Sequence, residues 1–231
     1  MRREKKPLWR WIGEAALIFL SILGAFYVDG YREHKNKEST YIKHLTDFKY
    51  DLEKTAGSMR FELSANSNEN QRSGYLPRFL KLADSLEIMV KSGDQANTRS
   101  ILSIVEELDD RLSKWIFSSP HFDRITLDYY YFIRNPDLKA DIATHKRDHL
   151  HRQESKDAVN HLLDKLVDLL IDVNFGKPDT RTNRDLIFNN RIINTVSRLR
   201  LSYRILLQTT EVNLERDLEI LAEVEKEMEM W

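Results

Sequence analysis

Between Trp11 and Val28 the chain passes through eighteen positions with a single charged side chain, Glu14. At ~1.5 Å per residue a helix over this run is ~27 Å long, close to the ~30 Å hydrocarbon core of a bilayer. A buried helix of a soluble protein seldom needs so long a continuous apolar surface, so the run predicts a membrane-spanning helix. Trp9 and Trp11 at one end, and Tyr27 and Tyr31 at the other, are spaced like the aromatic belts that sit at headgroup level. A cleaved secretory signal would have a shorter apolar stretch and a small-residue cleavage site. This run ends in Phe26-Tyr27-Val28-Asp29, so a retained signal-anchor is expected.

Charge orients the anchor. Arg2, Arg3, Lys5, Lys6 and Arg10 against Glu4 form a cationic flank, which the positive-inside rule keeps in the cytoplasm. The expectation is a single-pass protein of the inner (cytoplasmic) membrane with the N-terminus inside and the helical body outside. Arg32, Lys35, Lys37 and Lys43 lie just beyond the run and reduce that bias. Residues 1–38 carry a net +3 and the remainder a net −4, and so nearly neutral a body argues against a nucleic-acid partner. The chain has no cysteine, which removes disulfides and thiolate metal sites and leaves the redox compartment unmarked.

Only seven glycines and five prolines punctuate 231 residues, so long helices dominate. The expected fold is all-α: an N-terminal transmembrane helix followed by a helical bundle with a long antiparallel C-terminal hairpin. The chain divides into a basic tail (1–10), the anchor (11–28), a juxtamembrane helix (29–70) and a bundle domain (75–231). Leu45, Phe48, Leu52, Met59 and Leu63 give the juxtamembrane helix one apolar face, with Gly30 and Gly57 as its weak points. Ser64 to Gly74 is apolar-poor and predicts a loop.

Two shorter helices are expected, one with Phe79, Leu80, Ala83 and Leu86 inward, the other using Ile101, Val105, Leu108 and Leu112. Ser92-Gly93-Asp94 separates them. Ser119-Pro120 and Asn135-Pro136 each place a capping side chain before a proline at the first helical position, where its missing N–H costs nothing. Gly176 and Pro178 predict a hairpin turn. Folding about Pro178 sets Asp172 opposite Arg184, Asp164 and Asp168 near Arg191, and Asp157 near Arg198. Leu162, Leu166, Leu169 and Val173 are expected to pack on Ile192, Val196, Leu199 and Tyr203.

Several constellations carry possible chemistry. Glu14, Leu17, Ser21, Gly24 and Val28 recur at three-four spacing, a stripe of small and polar residues of the kind that lets helices approach closely in lipid. It fits a second copy or another membrane protein, or else Glu14 reaches the headgroups and Gly24 is incidental. His145, Asp148, His149 and His151 cluster on one expected helix, and His145 and His149, one turn apart, have a spacing that lets two imidazoles meet one metal, yet the local motif assures no third ligand and Lys146, Arg147 and Arg152 flank them. A solvated helix face is the simpler expectation, and no cofactor is assigned. Glu211, Glu215, Glu219, Glu223 and Glu227 form a carboxylate stair expected to face solvent or the bases Lys139, Lys146 and Arg147. The arginines preceding it, with Tyr203, suggest phosphate contacts but match no nucleic-acid motif. Tyr129-Tyr130-Tyr131-Phe132 is expected to be core and rim, since consecutive residues point to different faces.

Ile12-Gly13-Glu14, Ile22-Leu23-Gly24-Ala25, then Tyr41-Ile42 and Asp51-Leu52, together with Asn135-Pro136-Asp137-Leu138 and a long Leu/Glu-rich closing helix, resemble a family of uncharacterised bacterial single-pass membrane proteins. That family carries an Asn/Trp-rich stretch after its anchor, where this chain has Val28-Asp29-Gly30-Tyr31-Arg32. The resemblance implies membrane attachment and a helical body, and it brings no activity with it. No catalytic signature is present, so the expected role is a membrane-anchored interaction or scaffold protein of the bacterial envelope, with the bilayer and a membrane partner or second copy as its contacts. The alternatives are a sensory ectodomain that signals through a partner, and a membrane-bound metal-dependent enzyme.

Overall fold

A computed structural model describes residues 8–64, 75–108, 119–173 and 181–231. Among them the chain is all-α with no strand. Helix α1 (Leu8–Leu63) is followed by α2 (Tyr75–Ser92), α3 (Thr98–Leu108), α4 (Pro120–Asp128), α5 (Pro136–Leu169), α6 (Arg181–Ile187) and α7 (Asn190–Glu229). Short 3-10 turns precede α3 and follow α4.

Helix α1 is 56 residues long, ~84 Å at the helical rise. It passes unbroken through Gly30 and Gly57, which the sequence had marked as weak points. Neither glycine has an atom within 4 Å of where a side chain would begin, and each costs the helix only ~1 kcal/mol, too little to break it. The two halves of α1 have different surfaces. From Trp11 to Val28 every residue is exposed, and Leu17, Ile18, Phe19 and Phe26 present apolar side chains on all sides. This segment is uncovered by protein and is long and apolar enough to cross a membrane. From Tyr41 onward a single stripe of Tyr41, Leu45, Phe48, Leu52, Ala56 and Met59 is buried. The segment expected to be a separate juxtamembrane helix therefore does not stand apart from a bundle beginning at residue 75. Its second half packs against α7, α4 and α2 as a column of that bundle.

The local starts follow the capping chemistry. Ser119 Oγ accepts the Phe122 amide at 3.1 Å, and Asn135 Oδ1 accepts the amides of Asp137 at 3.0 Å and Leu138 at 3.5 Å. Gly93, at φ 65°, takes the left-handed conformation that ends α2. Asn189 caps α7 by accepting from Arg191 and Ile192. This cap makes α6 a separate helix, so the chain between α5 and α7 is not a simple turn. Gly176, Pro178 and Leu112 lie outside the described residues.

The long pair α5 and α7 is antiparallel, and its register differs from the predicted one. His145 faces Asp217 and Arg152 faces Thr210, which sets position 198 opposite 164 rather than opposite 157. Asp157 and Arg198 are both exposed and form no ion pair with each other among the described residues. The physical reason is α6: its additional residues move the centre of the fold later in the chain than Pro178. The apolar partners are as expected, with Leu166, Val173, Ile192, Val196, Leu199 and Tyr203 buried in one cluster and Leu162 and Leu169 packed on it. Each large side chain so buried contributes ~1.5–3 kcal/mol, far more than exposed ion pairs at ~0–1 kcal/mol, so apolar fit decides the register.

The core is split. One apolar cluster, distal to the exposed end of α1, gathers α2, α3, Ile187 of α6 and the adjoining halves of α5 and α7. The other, proximal, gathers Tyr41 to Leu52 of α1 with Phe122, Ile125, Phe132, Leu138, Ile142, Ile220 and Val224.

Candidate functional site: a buried polar belt

What separates the two apolar clusters is a layer of buried polar and charged side chains. On α5 the inward stripe begins with Leu138 and Ile142 and ends with Val159, Leu163 and Leu166. Between them the same face carries His145, His149, Arg152 and Lys156, all at most 4% exposed. On α7 the stripe runs from Leu206 through Thr210, Asn213 and Asp217 to Ile220, and α1 contributes Thr55 and Glu62. The three-four spacing is continuous across each helix, so the polar residues occupy positions that the fold treats as core.

Two groupings form within the belt. Glu62 Oε1 lies 2.9 Å from Lys156 Nζ, and Glu62 Oε2 lies 2.5 Å from Arg152, whose Nε donates to Thr210 at 3.2 Å. Burial works to raise the Glu62 carboxyl, and the Arg152 and Lys156 charges outweigh it, leaving it below its ordinary value. Burial, reinforced by Arg152, pulls the Lys156 ammonium down. In the second grouping, His149 Nε2 lies 2.9 Å and His145 Nδ1 3.3 Å from Asp217 Oδ1. The Phe48 and Phe122 rings pack on His145, whose imidazole burial holds below its ordinary value despite Asp217. Asp217 is lowered because the two histidines overcome its burial. Counting formal charges with neutral imidazoles, Glu62 and Asp217 balance Arg152 and Lys156. Such a balance lets a charged layer persist inside a bundle, because an unbalanced buried charge costs several kcal/mol.

The belt overturns the expectation of a solvated histidine face. His145 and His149 point into the core and only His151, with Lys146 and Arg147, faces solvent. Asp217, on α7 and distant in sequence, completes a trio close enough in space to hold a metal ion. The 2.9 Å separation is nevertheless a hydrogen-bond length, and the trio sits in a belt that already balances its own charge.

The carboxylate stair is not a uniform surface. Steps of four residues advance ~40° around a 3.6-residue helix, so the stair rotates as it climbs. Glu211, Glu215 and Glu219 are exposed, Glu223 is half-buried and Glu227 is fully buried. Glu227 accepts from the Tyr41 hydroxyl at 3.0 Å, the Arg134 and Asn135 amides at 3.0 and 2.6 Å, and Trp231 Nε1 at 2.8 Å. None of Lys139, Lys146 or Arg147 faces it: Lys146 pairs with Asp123, Lys139 lies over the Tyr130 ring and Arg147 lies beside Asp148. Phe132 is buried, Tyr129 half-buried, and Tyr130 and Tyr131 are exposed, as expected for core and rim.

Along the apolar first half of α1, Glu14, Leu17, Ser21, Gly24 and Val28 are all exposed, as are Trp11, Tyr27 and Tyr31. The Ser21 hydroxyl donates to the Leu17 carbonyl at 2.7 Å, within its own helix. Of the predicted register residues, Asp157, Asp168, Asp172, Arg191 and Arg198 are exposed, whereas Asp164 and Arg184 are half-buried. A cleft of about 380 Å³ opens between α5 and α7, lined by Lys165, Leu169, Arg191, Asn194, Thr195 and Arg198.

The residues that the sequence reading missed are Glu62, Lys156, Thr210, Asn213 and Asp217. Their signal was phase: each continues the spacing of flanking apolar residues. Compared with protein-family models, with curated proteins and with solved structures, the chain matches none.

Proposed function

We propose that this chain is a single-pass protein of the bacterial inner membrane, N-terminus cytoplasmic, whose helical body serves as a scaffold for an envelope partner or a second copy. The supporting observation is the change of surface along one unbroken helix: α1 is apolar and uncovered from Trp11 to Val28, then becomes a buried column of the bundle from Tyr41. A body joined to its anchor by continuous helix is held at a set distance from the bilayer. The stripe of Glu14, Leu17, Ser21, Gly24 and Val28 leaves a face for a neighbouring membrane helix.

The cysteine-free chain makes the test direct. With Ala140→Cys on the exposed face of α5, a non-permeant thiol reagent should label intact spheroplasts. Labelling only after lysis reverses the topology, and recovery of the full-length chain without detergent removes the anchor. With Ser21→Cys, oxidation in membranes should yield a cross-linked species that Leu20→Cys does not.

A sensory role is the second reading, and the basic cleft beside Lys165, Arg191 and Arg198 favours it. An anionic ligand there would bear on α5 and α7, and through Glu62 on α1. A saturable thermal shift of the full chain in detergent with inorganic phosphate supports this reading. No shift removes phosphate-like ligands from it.

A further inference from the structure

A second cluster of ligand-type side chains lies outside the belt, where α4 meets α1. His44 and Asp47 stand one turn apart on α1, and His121 is the second residue of α4. All three are half-buried, so the cluster is open to water. The start of α4 is fixed against α1 on both sides of His121. Ser119 Oγ donates to Asp51 at 2.7 Å while capping the helix, and Phe122 enters the proximal core against Phe48. His44 in turn packs against the Tyr129 ring.

The distances are informative. His44 Nδ1 and His121 Nδ1 are 3.3 Å apart, and His121 Nδ1 is 3.6 Å from Asp47 Oδ2. One imidazole nitrogen offers either a hydrogen or a lone pair, so at these distances His121 Nδ1 makes at most one well-formed hydrogen bond to the two neighbours. Both separations also exceed the usual 2.7–3.2 Å of a hydrogen bond. Ligands bound to one tetrahedral zinc at ~2.0–2.2 Å stand ~3.4 Å apart; two of the three separations here, 3.3 and 3.6 Å, are close to that, and all three ligand atoms lie within 4.8 Å of one another. Nearby cations do not occupy the space: Arg124 pairs with Asp128 at 2.9 Å, Lys146 pairs with Asp123, and Lys43 is exposed.

We propose that His44, Asp47 and His121 bind one divalent transition-metal ion of the zinc class, with water completing its coordination. Two imidazoles and a carboxylate favour such ions over magnesium or calcium, which prefer all-oxygen sites. The ion ties α4 to α1 only ~24 Å of helix beyond Val28. The proposal does not depend on the membrane reading.

Full-length protein in detergent, stripped with chelator and titrated with Zn²⁺ by calorimetry, should take up one ion per chain. His121→Ala and Asp47→Asn should each weaken uptake at least tenfold, with helicity by circular dichroism unchanged. A positive signal guards against variants that merely misfold. His121→Cys keeps a ligand in place, and in Co²⁺-loaded protein it should add a thiolate-to-cobalt charge-transfer band to a chain that has no other thiol. Failure of the wild type to take up Zn²⁺, uptake that survives His44→Ala with His121→Ala, or absence of the thiolate band overturns the proposal.

Discussion

Lys156 Nζ meets Glu62 Oε1 at 2.9 Å where neither side chain reaches solvent, joining α5 to the same helix that carries the exposed apolar segment. Arg152 shares the carboxylate, so one acid answers two bases at this point of the belt.

That arrangement makes the partners unequal. Glu62→Gln leaves two buried cations facing a neutral amide and should cost ~3–5 kcal/mol, the usual penalty for breaking a buried pair from one side. Lys156→Met unbalances the belt by one charge but leaves Glu62 paired with Arg152, so it should destabilise clearly less than Glu62→Gln. Denaturant midpoints of the two variants check this, and equal losses would refute the assignment.

Glu227 collects donors from three parts of the chain: Tyr41 of α1, the Arg134-Asn135 backbone before α5, and Trp231 after α7. Glu227→Leu strands these donors in the core and should cost ~3 kcal/mol. Glu219→Leu, exposed two steps earlier on the stair, should change stability by less than ~0.5 kcal/mol. The contrast between two glutamates of one apparent repeat is the readout.

The belt also sets an acid limit. Burial holds His145 below its ordinary 6.5, so the unfolded chain takes up a proton there that the folded chain refuses, and stability falls as pH drops below 6.5. Glu62 and Asp217 are depressed when folded. Their contributions are present above their ordinary 4.5 and 3.8 and are lost as pH falls through the lower folded values. Melting temperature should therefore decline below 6.5 and more steeply below 4.5. His145→Leu should flatten the first part of that slope.

Gly57 is exposed on α1 with open space where a side chain would begin. Gly57→Ala should raise stability by ~0.5–1 kcal/mol through helix propensity alone, measured as an increase in denaturant midpoint. A loss would show that α1 needs to yield at that position.

Much of this architecture is legible in the residues taken in order. The run from Trp11 to Val28, the Ser119 and Asn135 caps before proline, and the apolar spacing of Leu45, Phe48, Leu52 and Met59 each depend on neighbours within a turn or two. Local physics suffices to specify them. The same applies to the apolar faces of α2, α3 and the two long helices.

What only the tertiary structure decided is which distant residues meet. The register of α5 on α7 depends on α6, whose separateness rests on a cap at Asn189. Asp217 reaches His145 and His149 across 68 residues or more, Glu62 reaches Arg152 across 90, and His121 reaches His44 across 77. Burial then sorted residues of the same type, drawing His145 and Glu227 inward and leaving His151 and Glu211 in solvent. A side chain's charge is written in the sequence, but its cost depends on the dielectric and the partners that packing places around it.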